Sequence, residues 1–252
     1  MPAVVFAAFA FAATRSLVGR WLLLASGVIC VFALFRTESR GGLVALAAAG
    51  LATLLFAGAW RLRALAAIAV AAGLSILYLT FFASSQAVSR ITDFHAGGGT
   101  GRQDVWTLAR EMISDHPIRG VGIGNFPVVE PRYALKNVDV SESYFVVGQI
   151  PKVTHNTYLQ VLAELGVVGF VLFAAFIVAS LVLGVRAVRS AASEGDTELE
   201  LIGRGLVIGA IGMLAAFFFI SAQYEKQLPI VLGLLTTLAT VPPTRARFRA
   251  RA

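Results

Sequence analysis

The sequence is poor in charge and almost empty of cysteine. Only 14% of its 252 residues are charged, against about 25% in soluble domains, which excludes an ordinary water-soluble globule. Its single cysteine, Cys30, lies inside an apolar run, so neither an internal disulfide nor a cysteine-type metal motif is possible. Histidines number three. His95 and His116 have no partner at ligand spacing, and there is no acidic pair for a divalent ion, so neither a metal nor a cofactor is expected. The first residues, MPAVVFAAFAFAAT, lack a positively charged n-region, and no cleavable signal peptide is expected.

What is abundant is apolar. Hydrophobic residues make up 58% of the chain and mean hydropathy is +0.79. Both point to an integral membrane protein. A net charge of +7 could suggest nucleic acid, but the arginines fall in short runs between apolar segments, the pattern of membrane topology. A spanning helix needs about 20 apolar residues. Candidates are residues 17–35, 42–60, 64–83, 158–185 and 205–221, with shorter ones at 3–13 and 228–241. These give three parts: N-terminal spans in residues 1–83, a long polar loop in 84–154, and C-terminal spans with a basic tail in 155–252.

Arginine placement orients the bundle. Arg15, Arg20, Arg61, Arg63, Arg186, Arg189, Arg204 and the tail arginines fall on one side. Arg36, Arg40 and Lys226 fall on the other. The positive-inside rule makes the first side cytoplasmic and puts the long loop outside. An odd number of spans leaves the N-terminus outside, so further spans are expected upstream.

Inside the loop, Val105, Ala109 and Met112, with Trp106 and Ile113, make an apolar stripe at helical spacing. This predicts a helix lying on the membrane surface, capped by Thr100 and ending near His116, before Pro117. Arg102 is anomalous, because a cation in the first turn opposes the helix dipole. Either it is a solvated surface residue, or arginine and dipole together face an anion such as phosphate. Arg40, in FRTESRGG at the outer end of a span, could snorkel to the headgroups. Glu38 could instead pair with Arg36 and leave Arg40 free for a ligand. GVGIGN, at 120–125, lacks the preceding strand and following helix of a dinucleotide loop. It reads as a turn returning the loop to the membrane.

HNTYLQVLAELG, at 155–166, opens a long apolar run. Thr154 is the expected N-cap, placing His155 and Asn156 in the first turn. Asn156, Gln160 and Glu164 then form one polar stripe running into the membrane. A lone histidine at a membrane interface is usually structural, but Glu164 at such a depth demands a partner.

HNTYLQVLAELGVVG resembles the signature of the O-antigen ligase and polymerase family. TESRGG resembles the family's serine-arginine-glycine element, and GRQDVW with DHPIRGVGIGNF resembles the opening of its large periplasmic loop. The three occur in the expected order between Thr37 and Gly169. The resemblance implies an all-helical, multispanning membrane glycosyltransferase of GT-C-like fold in the bacterial inner membrane, its active site facing the periplasm. It would move a glycan from undecaprenyl pyrophosphate to an acceptor hydroxyl, on lipid A core or on another glycan or protein, without a metal. It further implies His155 as the catalytic residue, with Arg40 and Arg102 holding pyrophosphate and Asn156, Tyr158 and Glu164 in support. A polymerase of lipid-linked repeats and a protein O-oligosaccharyltransferase use the same donor. A transporter of lipid-linked sugars would more often show broken or repeated spans, and none stands out in the sequence.

Overall fold

A computed structural model describes residues 2–36, 40–56, 58, 61–62, 81, 102–136 and 153–241. The 64–83 span apart from Phe81, the Thr100 cap, His95, the Glu38–Arg36 pair and the basic tail lie outside the described residues. What is described is helical, with no strand. In chain order the helices are α1 Pro2–Ala13, α2 Leu17–Arg36, α3 Arg40–Phe56, α4 Arg102–Asp115, α5 Phe126–Ala134, α6 Thr157–Glu194, α7 Thr197–Ala216 and α8 Gln227–Leu238. Among them α6 and α7 are long and apolar enough to cross a membrane. The chain forms two compact units.

In the first unit α1 and α3 pack on α7. Small residues allow the approach: a Cβ on Gly212 would stand 2.9 Å from that of Ala49, and one on Gly205 2.8 Å from that of Phe9. This is the close packing that membrane helices use when no hydrophobic drive separates lipid from protein. The 205–221 span begins earlier than its apolar run, at Thr197. Asp196 caps it, its Oδ1 accepting from Leu199 N–H at 3.1 Å, and Glu198 and Glu200 occupy the first turn, where the dipole favours them. Arg204, besides its place among the orienting arginines, pairs with Glu200 at 2.7 Å and donates to the Phe56 carbonyl at the end of α3. That helix has no basic residue in its own last turn.

In the second unit Val105, Leu108, Ala109 and Met112 of α4 form a core with Phe126, Ala134 and Ala163. The expected stripe is there, widened by Leu108. Tyr133 of α5 donates to Asp115 at 2.8 Å and ties the two loop helices together.

The long α6 is not one helix. Gly166 has φ 64° and ψ −170°, a region open essentially to glycine alone. The break frees carbonyls on one side and amides on the other. Residues 117–122 satisfy them. Val121 and Gly122 N–H donate to the Ala163 and Glu164 carbonyls at 2.9 and 2.8 Å, and the Pro117 carbonyl accepts from Val167 N–H at 2.8 Å. Gly120 and Gly166 face each other's backbones so closely that a Cβ on Gly120 would overlap the Glu164 carbonyl and one on Gly166 the Ile118 carbonyl. So GVGIGN does return the loop to the long helix, by docking into a break that the sequence reading did not foresee.

Gly166→Ala should therefore destabilise strongly. The backbone region alone costs on the order of 1–3 kcal/mol for a non-glycine residue, and displacement of residues 117–122 adds to it. Thermal unfolding in detergent should show a drop several times larger for Gly166→Ala than for Gly233→Ala, where a Cβ meets nothing within 4 Å. Equal drops would remove the interlock from the account.

Candidate active site

The site is best built from the start of α6. Thr157 is its first residue, and Asn156, not Thr154, is the cap: Asn156 Oδ1 accepts from Leu159 N–H at 3.1 Å. Asn and Thr are both good caps. Thr154 instead makes a local turn, its Oγ1 within 3.1 Å of Asn156 N and 2.7 Å of Asn156 O. His155 thus lies outside the helix rather than in its first turn. Its φ of 49° is the one positive value among the described non-glycine residues. Left-handed strain of this kind costs on the order of 1–3 kcal/mol and persists only where the surroundings impose it.

The surroundings do impose it. Trp106 of α4 donates its indole N–H to the Thr154 carbonyl at 2.8 Å. On the other side Thr157 N–H donates to the Phe217 carbonyl at 2.8 Å, and Thr157 Oγ1 donates to Ile220 O at 2.7 Å and accepts from Ala222 N–H at 2.9 Å. Ser221 Oγ lies 3.2 Å from Thr154 Oγ1. Both neighbours of His155 are fixed while its own side chain is exposed.

Arg102 stands one helical turn before Trp106, so the bond that anchors Trp106 also brings Arg102 towards His155. Partial desolvation first, and the Arg102 guanidinium second, hold the His155 pKa below its ordinary 6.5. Both favour a neutral imidazole at neutral pH. Arg102 shares the first turn of α4 with Asp104.

Glu164 is fully buried. Its oxygens accept from Gly124 N–H at 3.1 Å, Phe126 N–H at 3.4 Å, Gln160 Nε2–H at 3.1 Å and the Tyr224 hydroxyl. Gly124 N–H also points at Tyr224 Oη, 3.0 Å away. Burial, then the bond to Glu164, pushes the Tyr224 hydroxyl up to about 12, so it stays a donor at neutral pH. The expected polar stripe is thus a support: Thr154, Gln160 and Glu164 are linked by hydrogen bonds, and Asn156 turns back to cap. Tyr158 lies against Phe218, ring centroids 4.6 Å apart. Arg40 opens α3 in the first unit, and its side chain lies outside what is described.

Trp106, Ser221 and Tyr224 were not singled out from the sequence. Trp106 carried a signal, since it sits beside the apolar stripe with an N–H that needs an acceptor once covered. Ser221 and Tyr224 carried none that could pair them with residues about sixty positions away.

The family model for O-antigen ligase matches residues 25–174, more than half of the chain. The chain belongs to the O-antigen ligase family. Among curated proteins none matches it. The family is one of glycan-transferring membrane enzymes, and the match takes in Arg40, Arg102 and the whole of 155–166 while ending before Phe217–Leu228.

Two measurements follow from this geometry. Glu164→Ala leaves two buried donors unmet, Phe126 N–H and Gln160 Nε2–H, at about 1–3 kcal/mol each, whereas Tyr224→Phe removes one bond worth about 0.5–1.5 kcal/mol. Unfolding temperature should fall far more for the first, and equal losses would mean that Glu164 does not hold the loop. Separately, Arg102→Gln removes a cation from beside His155. The imidazole pKa, followed by NMR, should move up towards 6.5; no movement would deny their proximity.

Proposed function

We propose that this chain transfers a glycan from undecaprenyl pyrophosphate to an acceptor hydroxyl at the periplasmic face of the bacterial inner membrane, with His155 as general base and Arg40 and Arg102 on the pyrophosphate. The observation that carries the reading is the pairing of an exposed, left-handed His155 with the charge of Arg102. The donor already holds its leaving group, so the protein has to position the reactants and stabilise departing charge.

In the proposed step His155 accepts the proton of the acceptor hydroxyl as its oxygen attacks the anomeric carbon. The bond from that carbon to the pyrophosphate oxygen breaks, and undecaprenyl pyrophosphate leaves with the electron pair. In-line attack inverts the anomeric centre. Arginine suits the leaving group because its planar fork binds phosphate bidentately. Asn156, Tyr158 and Glu164 support the site by fixing the turn beneath His155. Lipid A core is the proposed acceptor. A lipid-linked repeat or a protein hydroxyl uses the same donor chemistry, and complementation separates them by scoring glycan on lipid A against free lipid-linked polymer.

The helix break at Gly166 is a feature of the kind that a transporter of lipid-linked sugars would show. It corrects the expectation of unbroken spans. However, the carbonyls of Ala163 and Glu164 and the amide of Val167 are already bonded to residues 117–122, so they are not open to cargo. The transferase reading is the better supported.

Purified protein in vesicles with a lipid-linked donor provides the test. His155→Ala and His155→Gln should lose nearly all transfer yet bind the donor, and Arg40→Lys and Arg102→Lys should each cripple transfer while remaining folded. For the unaltered protein kcat/KM should be flat through neutrality and decline on the acid side of 6.5, because the His155 pKa is lowered and its protonated form is inactive. Most of the activity surviving in His155→Ala would sink the assignment.

A further inference from the structure

Residues 117–124 present two isoleucines outward. Ile118 is 62% and Ile123 69% exposed, while Val121 between them packs into the core of the second unit. Such exposure is ordinary for a single surface residue. Here the backbone gives it a location. The Pro117 carbonyl accepts from Val167 N–H at 2.8 Å and the Ile118 carbonyl from Val168 N–H at 3.5 Å. Pro117 and Ile118 are therefore fixed at the level of Val167 and Val168, while Val121 and Gly122 bond to the Ala163 and Glu164 carbonyls just before the break.

That level has a physical meaning. Residues 167–184 carry no charge, and Arg186 follows. Their length as helix is about 27 Å, close to the hydrocarbon thickness of about 30 Å. The residues before the break differ in kind: Thr157, Gln160, Val161, Ala163 and Glu164 are all buried in protein. Val167, Val168, Val171 and Leu172, just after it, are exposed. The change from buried residues to exposed apolar ones therefore falls at Gly166, not at the start of α6. Ile118, bonded through its carbonyl to Val168, continues the exposed apolar face at that level, and Ile123 is exposed between Gly122 and Gly124, which both bond to Glu164. Arg119, between them in sequence, is exposed as well and suits a lipid phosphate.

We propose that residues 117–124 seat the second unit on the bilayer, with Ile118 and Ile123 entering the boundary between headgroups and acyl chains and Arg119 meeting lipid phosphate. The occupant is bilayer lipid. Because the same loop fills the helix break and holds Glu164, this contact sets how far residues 157–165 carry His155 from the acyl chains. The inference is independent of the reaction proposed above.

The test uses the full chain with Cys30→Ala as background. Ile118→Cys, Ile123→Cys and Val168→Cys are each labelled with an environment-sensitive NBD probe and reconstituted in phosphatidylethanolamine–phosphatidylglycerol vesicles. A fraction of the lipid carries a nitroxide on the acyl chain near the glycerol. Emission at 118 and 123 should be blue-shifted and lost to the nitroxide to an extent comparable with position 168. Water-like emission at either position would overturn the proposal. So would blue-shifted emission that the nitroxide leaves intact, since a protein surface would then cover the loop.

Discussion

A helix broken inside a membrane protein leaves backbone groups that must find partners where water is scarce, because an unmet group there costs several kcal/mol. At Gly166 those partners are supplied by one short stretch, residues 117–122, and the second unit is organised around that exchange. The amides of Val121 and Gly122 and the carbonyl of Pro117 complete the two halves of α6. To bring them so close, both backbones must be free of side chains at the crossing, hence glycine at 120 and at 166. The docking then puts Gly124 and Phe126 amides over the Glu164 carboxyl, and α5 begins from there.

Seen from this constraint, polar residues near the mouth of α6 divide into two kinds. Glu164, Gln160 and Thr154 are spent on the protein itself, bonded in a row beneath the turn. His155 is held by its neighbours and not by its own side chain, which is exposed beside the charge of Arg102. Rigid support below and a free imidazole above is what a general base requires. In the proposed role the geometry for accepting a proton would be set by packing, while the imidazole stays exposed. The Arg102 charge has a double consequence. It favours the neutral imidazole in the free protein, and it would offer a cation to an anionic ligand at the same place.

How much of this could be read from the sequence follows from the range of each interaction. The helix α4 was legible because its stripe is local, repeating every three to four residues, and Pro117 marks its end. Glu164 was legible as an anomaly, since a carboxyl in an apolar run must have a partner, but the partner itself was not. Its donors come from positions 124, 126, 160 and 224, and only the one at 160 lies at a helical spacing. The cap was misread because Thr154 and Asn156 are equally suitable by residue type, and the choice was settled by Trp106 and Phe217, both distant in sequence. The break at Gly166 was hidden for the opposite reason: glycine inside an apolar span is common, and only the loop opposite gives it a cause. GVGIGN resembles a dinucleotide loop in its glycines alone: a helix, α5, does follow it, contrary to the expectation, but α4 rather than a strand comes before it.

The filled break also bears on where chemistry can occur. A broken helix attracts functional readings because its freed amides and carbonyls can bind ions or substrates. Here the same groups are consumed by the chain's own loop, and Glu164, the buried carboxyl nearest to them, has four donors on its two oxygens. The groups freed at the crossing are thus engaged within the chain, and the break acts as a joint between a buried helical segment and one with exposed apolar residues. On the proposed function the reactive groups lie away from that joint, at the start of residues 157–165. That end carries the strained His155, and the loop helix α4 brings Arg102 to it. A membrane enzyme acting on a lipid-linked glycan meets a related constraint, with its lipid in the bilayer and its sugars in water. On the proposed function and the proposed seating of residues 117–124, a joint at the acyl boundary with the histidine held beyond it would satisfy both demands with one chain.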